Sequence, residues 1–434
     1  MASPTTSASE SMQQKQSTQQ SSKPKQPQHK HDRLITRDMA LVMLATFCFM
    51  SSNMLANPIV AGYAESLGAS GTLMGVVAGS MSFISLFCRP IAGNLSDRTS
   101  KRTLVTAGTV LYFAAGLLYY FAGSPIMLIM ARVINGVGFA CCSVCLATWM
   151  SLLLPIRHMG AGMGLYGTMN ALAMAVGPAF GIRAQKYIGY RLTFLSSLVL
   201  AAIMLIATLM VKNGGQPVRK KQTSTTENPS TAVDIDGSAG ATKKHHFSIH
   251  SILEPRVVPL SLTFMMFAIA YFANQSFIMN YIEARHLPVS ADLFFMFYAV
   301  ALLVLRLGLR DLFDSKGFRF WLTVCSLGML ATLACMTFLF NDWMLLLAAI
   351  FTAIGYGLMS SVTQAQAVVI AGRERSGIAN STYYAGIDLG MSVGPFVGGL
   401  VYGRLSAVWF YPVFMLTMPV AWLIYLLCVR RVSR

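Results

Sequence analysis

Arg89-Pro-Ile-Ala-Gly93-Asn-Leu-Ser-Asp97-Arg98-Thr-Ser-Lys101-Arg102 decides the fold, because a degenerate second copy begins 217 residues later. That copy reads Arg306-Leu-Gly-Leu-Arg-Asp-Leu-Phe-Asp314-Ser-Lys316-Gly-Phe-Arg319. In the first, an apolar run is expected to end at Arg89-Pro90 and turn at Gly93. One acid and three bases then stand where a short connection would meet a membrane surface.

A second pair of motifs shares the spacing. Val176-Gly177-Pro178-x-x-Gly181 recurs 217 residues on as Val393-Gly394-Pro395-x-x-Gly398, and after one insertion Tyr63-Ala-Glu65 matches Tyr281-Ile-Glu283. Two motifs at one offset imply two halves repeated in parallel sense. That is a transporter architecture, with its site near the membrane midplane between the halves. Each Gly-Pro pair predicts a kinked helix that a neighbour approaches closely.

Composition agrees. The 434 residues are 55% hydrophobic and 11% charged, whereas a soluble chain carries about 25% charged residues. Apolar runs of spanning length begin near 38 and number twelve, six on each side of a polar stretch. The fold class is thus an all-α membrane protein, twelve transmembrane helices in two pseudo-symmetric six-helix bundles. The expected units are a disordered tail (1–36), a first bundle (37–212), a flexible linker (213–255), a second bundle (256–429) and a short end (430–434). The net charge of +17 sits mostly in the tail, the linker and alternate loops. It therefore reads as topology facing a lipid bilayer and not as a nucleic-acid surface. The same asymmetry of Lys and Arg puts both termini in the cytoplasm. The eight cysteines lie in apolar runs and suggest no disulfide framework; no cofactor, metal site or enzyme is expected, and the protein is expected to be a monomer.

Ionisable residues inside apolar runs are costly unless they face a cavity or a partner. Asp388 in the eleventh run and Arg132 in the fourth are therefore the first site candidates. Asn57, Asn170, Gln275 and Tyr383 are uncharged candidates for the cavity wall, with helix–helix hydrogen bonding as their plainer use. Asp388 is expected to carry a proton or touch substrate.

These motifs resemble a known family. Gly93-Asn-Leu-Ser-Asp97-Arg98-Thr-Ser100-Lys101-Arg102 is similar to the loop signature of the major facilitator superfamily, G-x-L-a-D-R-x-G-R-R, with Ser100 in place of glycine. Leu128-x-x-x-Arg132-x-x-Asn135-Gly136-x-Gly138 resembles the fourth-helix motif of its proton-coupled exporters. The run holding Gly164, Ala173, Gly177, Pro178 and Gly181 resembles their antiporter motif with two glycines replaced. The resemblance implies the major facilitator fold, with a cytoplasmic gate formed by Arg89, Gly93, Asp97, Arg98, Lys101 and Arg102 and their counterparts Arg306 and Asp314. It also implies efflux of small-molecule substrates in exchange for protons across the cell membrane. Uptake of a nutrient on the same scaffold is the alternative, and a non-transporting membrane sensor the remote one.

The first copy keeps its turn residues, while the second has Leu307, Arg310 and Ser315 where the first has Pro90, Gly93 and Arg98. Asp97→Ala is thus expected to impair transport far more than Asp314→Ala, with membrane insertion of both unchanged. Equal losses in a vesicle transport assay would reduce the loop to an anchor.

Overall fold

Short polar caps start the helices where apolar runs are interrupted. Ser70, Ser124 and Asn341 each accept a hydrogen bond from the backbone N–H three residues on, at 3.4, 3.4 and 3.0 Å. Each satisfies one donor that a helix start leaves without an intrahelical partner, and Pro125, following Ser124, needs none.

The computed structural model describes residues 36–154, 159–216, 254–309, 312, 316–372 and 376–429, without the side chains at 97, 159–161, 164, 307, 376, 377 and 429. The tail, the linker beyond residue 216, Arg157, Arg310, Asp314, Ser315 and the chain end at 430–434 lie outside the described residues, as do the side chains of Asp97, Gly164 and Leu307.

The described chain forms eleven helices. The first five are α1 (Arg37–Ser66), α2 (Gly71–Arg98), α3 (Lys101–Phe121), α4 (Pro125–Leu153) and α5 (Met159–Met210). Then come α6 (Val258–Ala284), α7 (Ala291–Gly308) and α8 (Phe318–Thr337). The last are α9 (Asp342–Ala371), α10 (Ser376–Arg404) and α11 (Ala407–Cys428). Ten helices are long and apolar enough to cross a membrane, so the chain is a multi-pass membrane protein. The 52-residue α5 is broken at Gly189, whose φ of 76° no side chain adopts easily.

One expectation fails at the opening motif. No turn occurs at Gly93; α2 continues through Pro90 to Arg98, which leaves Arg89 nine residues inside the helix. Proline removes one backbone bond and bends a helix, a loss that neighbouring elements in a membrane bundle can absorb. The end is set instead by Thr99, whose N–H and hydroxyl both donate to the Leu95 carbonyl, at 3.0 and 2.7 Å.

The repeat reappears as packing. Gly177 and Gly181 seat α5 on α1 at Ser51, Met54 and Leu55, and Gly394 seats α10 on α6 at Ile269 and Ala273. Ser51 to Ile269 and Leu55 to Ala273 are both steps of 218 residues, the offset of Tyr63 and Tyr281. The small residue is used alike in both halves, letting one backbone lie on another. Gly398 departs from its counterpart Gly181, since it faces the Phe277 ring and not a backbone.

A glycine seam also joins the halves. Gly71 lies on Gly403, Gly75 on Pro395 and Gly399, and Gly79 on Ser392. Each turn forward along α2 is met by about one turn back along α10. All of this lies at the end where α1 stops. There Glu65 accepts from Asn280 of α6 and from the Tyr402 hydroxyl of α10 at 3.3 Å, and Arg183 pairs with Asp292 of α7 at 3.5 Å. The bundle is closed at the Glu65 end.

At Gly75 a methyl group would lie 2.6 Å from the Pro395 carbonyl oxygen. Overpacking of this kind costs about 1–3 kcal/mol. Gly75→Leu is therefore expected to depopulate the form closed at this end by roughly 5- to 150-fold. Aqueous labelling of a cysteine placed at Asn280 should rise accordingly; unchanged labelling would contradict the seam.

Candidate functional site

The deep acid and the first residue of the opening motif meet. Arg89 grips Asp388 with two nitrogens, Nε on Oδ2 and Nη2 on Oδ1, the latter at 3.0 Å. Its third nitrogen donates to Ser143 of α4 at 3.4 Å. The guanidinium also lies over two rings, Phe139 at 5.4 Å and Tyr384 at 5.7 Å. Asp388 is 1% exposed and Arg89 19%. A bidentate pair with a stacked guanidinium is what arginine, and not lysine, can make. The extension of α2 past Pro90 is what brings Arg89 to this depth. The pair ties α2 of one half to α10 of the other, beyond the point where the glycines stop.

Arg132, two turns inside α4, is elsewhere. It is buried and donates to Asn57 Oδ1 of α1 at 3.1 Å and to the Ala78 carbonyl of α2 at 3.4 Å. Its sulfur neighbour is Met81 at 3.6 Å. Two predicted residues are thus joined, but by a tie within the first half that does not reach Asp388. Gln275, 218 residues after Asn57, is fully buried on α6. Its amide nitrogen reaches Met54 Sδ of α1 at 3.7 Å, and its Oε1 has no partner. Asn53 on the same seam has neither amide atom bonded. Asn170 donates to the Tyr166 carbonyl one turn back, at 3.2 Å.

Tyr383 is buried, with its hydroxyl 2.7 Å from Ser360 Oγ and donating to the Ser360 carbonyl at 3.0 Å. It belongs to an aromatic wall that the sequence reading missed. Tyr384 neighbours Tyr383 at 5.3 Å between ring centres, and Phe264 stacks on both Tyr383 and Tyr356. Tyr356 in turn lies parallel on Tyr271 at 4.0 Å. Tyr356 is offered by a π-turn, Ala353–Leu358, inside α9. Such bulges recur at functional sites, and Gly355 and Gly357 on either side of the tyrosine were the available signal.

The remaining gate candidates divide. Lys101 donates to the Ser96 carbonyl and Arg102 to the Val211 carbonyl, while Ser100 Oγ donates to Gly214 O at 2.7 Å. Lys101 thus ties the start of α3 to the end of α2, while Arg102 and Ser100 hold the chain just after α5, all within one half. Arg98 is exposed, and at Gly93 a side chain would meet nothing within 4 Å. Arg306 lies in the last turn of α7. Asp97's side chain and Asp314 are outside the described residues.

A helical membrane bundle with repeated halves is a transporter architecture. The sequence matches the profile of the Major Facilitator Superfamily over residues 42–342 and 319–434. The chain belongs to that family, one of transporters and not of enzymes. It is similar to an uncharacterised MFS-type transporter of Methanocaldococcus jannaschii, 22% identical over 380 residues that cover 86% of this chain and 92% of that protein. It also resembles the staphylopine export protein of Staphylococcus aureus, 27% identical over 139 residues, which is 32% of this chain and 35% of that one. Among solved structures, a POT family transporter in complex with 5-aminolevulinic acid overlays with a TM-score of 0.73 at 12% identity, covering 92% of this chain and 97% of that one. At that identity the likeness is one of fold.

Breaking a buried pair from one side leaves a charge uncompensated and costs about 3–5 kcal/mol, whereas replacing both partners by apolar residues is often near neutral. Arg89→Leu is expected to lower unfolding stability in detergent by about that amount. The double variant Arg89→Leu/Asp388→Leu should recover most of it. Additive losses would show that the two residues act separately.

Proposed function

We propose that the protein is a proton-coupled exporter of small organic molecules that works by alternating access. On this reading α5 counts as two spans divided at Gly189 and α7 as one more. That makes twelve, six in 37–212 and six in 256–429, with 213–255 as the linker. The observation that carries the reading is the Arg89–Asp388 pair, the one ion pair among the described residues that lies well inside both its helices and joins the halves. A proton on Asp388 removes the charge that holds Arg89 and loosens the tie between α2 and α10. A coupling ion thereby gains a differential effect on two conformations, which is what a shift between them requires.

The Glu65 end, with few bases near it, is placed outside the cell, and both termini in the cytoplasm of a plasma or inner membrane. The closed glycine seam then belongs to an inward-facing form of a monomer. Arg132 and Asn57 brace the first half. Gln275 and Asn53, buried with amide atoms unbonded, offer polar contacts along the α1–α6 seam. Export is favoured over uptake by the likeness of the fourth and fifth runs to exporter motifs and by the partial likeness to the staphylopine export protein.

Everted vesicles given a pH gradient test the coupling. Asp388→Asn is expected to abolish gradient-driven movement while leaving exchange of substrate between the two sides. Full gradient-driven transport by that variant would overturn the role given to Asp388.

A further inference from the structure

The 217-residue offset that pairs Arg89 with Arg306 pairs Asp388 with Ala171. The two halves therefore carry the same cation but only one carries its anion. Arg306 is half-buried, and its Nε is shut off from solvent without a hydrogen-bond partner. Neither ion pair among the described residues includes it. Asn170, next to the position where an acid would stand, turns its amide back on its own helix.

Among the described residues Arg306 has no charged partner. It is close enough to Tyr298, Tyr356 and Tyr383 for its charge to act on their hydroxyls. Tyr298 lies two turns earlier on α7, so the side chain runs back along its helix into the bundle, as long helical side chains do. Those tyrosines belong to the wall that continues through Phe264 and Tyr384 to the Arg89–Asp388 pair. Arg132 likewise has only neutral hydrogen-bond partners. Arg306 itself stands in the last turn of α7 and is half-buried, so part of its side chain remains open to water or to an anion.

We propose that Arg306 anchors the anionic group of the transported molecule. The substrate class is then the amphipathic organic anions, bearing a carboxylate, sulfonate or phosphate that a guanidinium can hold in bidentate fashion. The inference rests on the transporter reading and names the substrate class of that site.

Two xanthene dyes of opposite charge test it on the purified full chain in detergent, by fluorescence polarisation at equilibrium: anionic carboxyfluorescein and cationic rhodamine 6G. Carboxyfluorescein is expected to bind at least ~10-fold more tightly than rhodamine 6G. Arg306→Gln should weaken carboxyfluorescein at least ~10-fold while rhodamine 6G holds or improves, and Arg306→Lys should retain part of the preference. Preference for rhodamine 6G, no binding of either dye, or an Arg306→Gln variant that binds carboxyfluorescein as the parent does would each overturn the proposal. If Arg306→Gln does not fold, the parent's dye preference and the Arg306→Lys variant still decide. Binding needs no transport, so loss of gradient-driven transport with dye selectivity intact would count against the exporter reading alone.

Discussion

A charge placed between apolar helices needs a partner, and the Arg89–Asp388 pair is where this chain meets that demand across its two halves. Hydrocarbon gives neither group hydration, so each depends on the other and on the geometry that keeps two nitrogens on two oxygens. That geometry requires α2 to continue past Pro90 and α10 to stay close to α2. The glycine seam from Gly71–Gly403 to Gly79–Ser392 provides the second condition. Beyond Gly79 the tie between the helices changes from backbone contact to a long side chain. A seam of glycines is stiff and close; an arginine bridge can be released by a single proton.

The same reasoning separates the arginines. Arg132 is held by oxygens of α1 and α2 and sits in one half, which makes it a brace. Lys101 binds a carbonyl at the end of α2 and Arg102 one just after α5, so both fasten elements within their own half. Arg89 reaches from one half into the other well inside both helices, whereas Arg183 does so only at the Glu65 end. Arg306 has no carboxylate partner among the described residues.

Much of this was legible in the sequence. The repeat offset, the multi-pass character and the glycine-proline motifs all follow from residue spacing, and the glycines meet the helices that close approach demands. The depth of Asp388 was legible for the same reason, since an acid amid apolar neighbours has few tolerable uses. The position of Arg89 was not. Proline and glycine four residues or fewer beyond it read as a helix end by the rules of water-soluble chains, whereas in a bundle the lost backbone bond is tolerated and the helix runs on to Thr99. Pairing across 299 residues of sequence leaves no local trace in any case. The aromatic wall was hidden too, because tyrosine and phenylalanine are scattered through every apolar run.

Charge then indicates which leg of a transport cycle is hard. On the proposed cycle, with Asp388 carrying the proton and Arg306 the substrate anion, the deprotonated, loaded protein has both arginines matched by a negative group. The protonated, empty protein has neither matched. Occluding two unpaired cations away from water is the costlier passage, so the loaded form crosses readily and the empty return limits turnover. Export of an anion through a membrane negative inside is also favoured by about 2.3 kcal/mol per charge per 100 mV, and the inward proton moves with the same field. Both moves draw on the membrane potential. On the proposed cycle the asymmetry between Asp388 and Ala171 gives one arginine a resident partner and would leave the other for cargo, a distinction that two identical halves could not make.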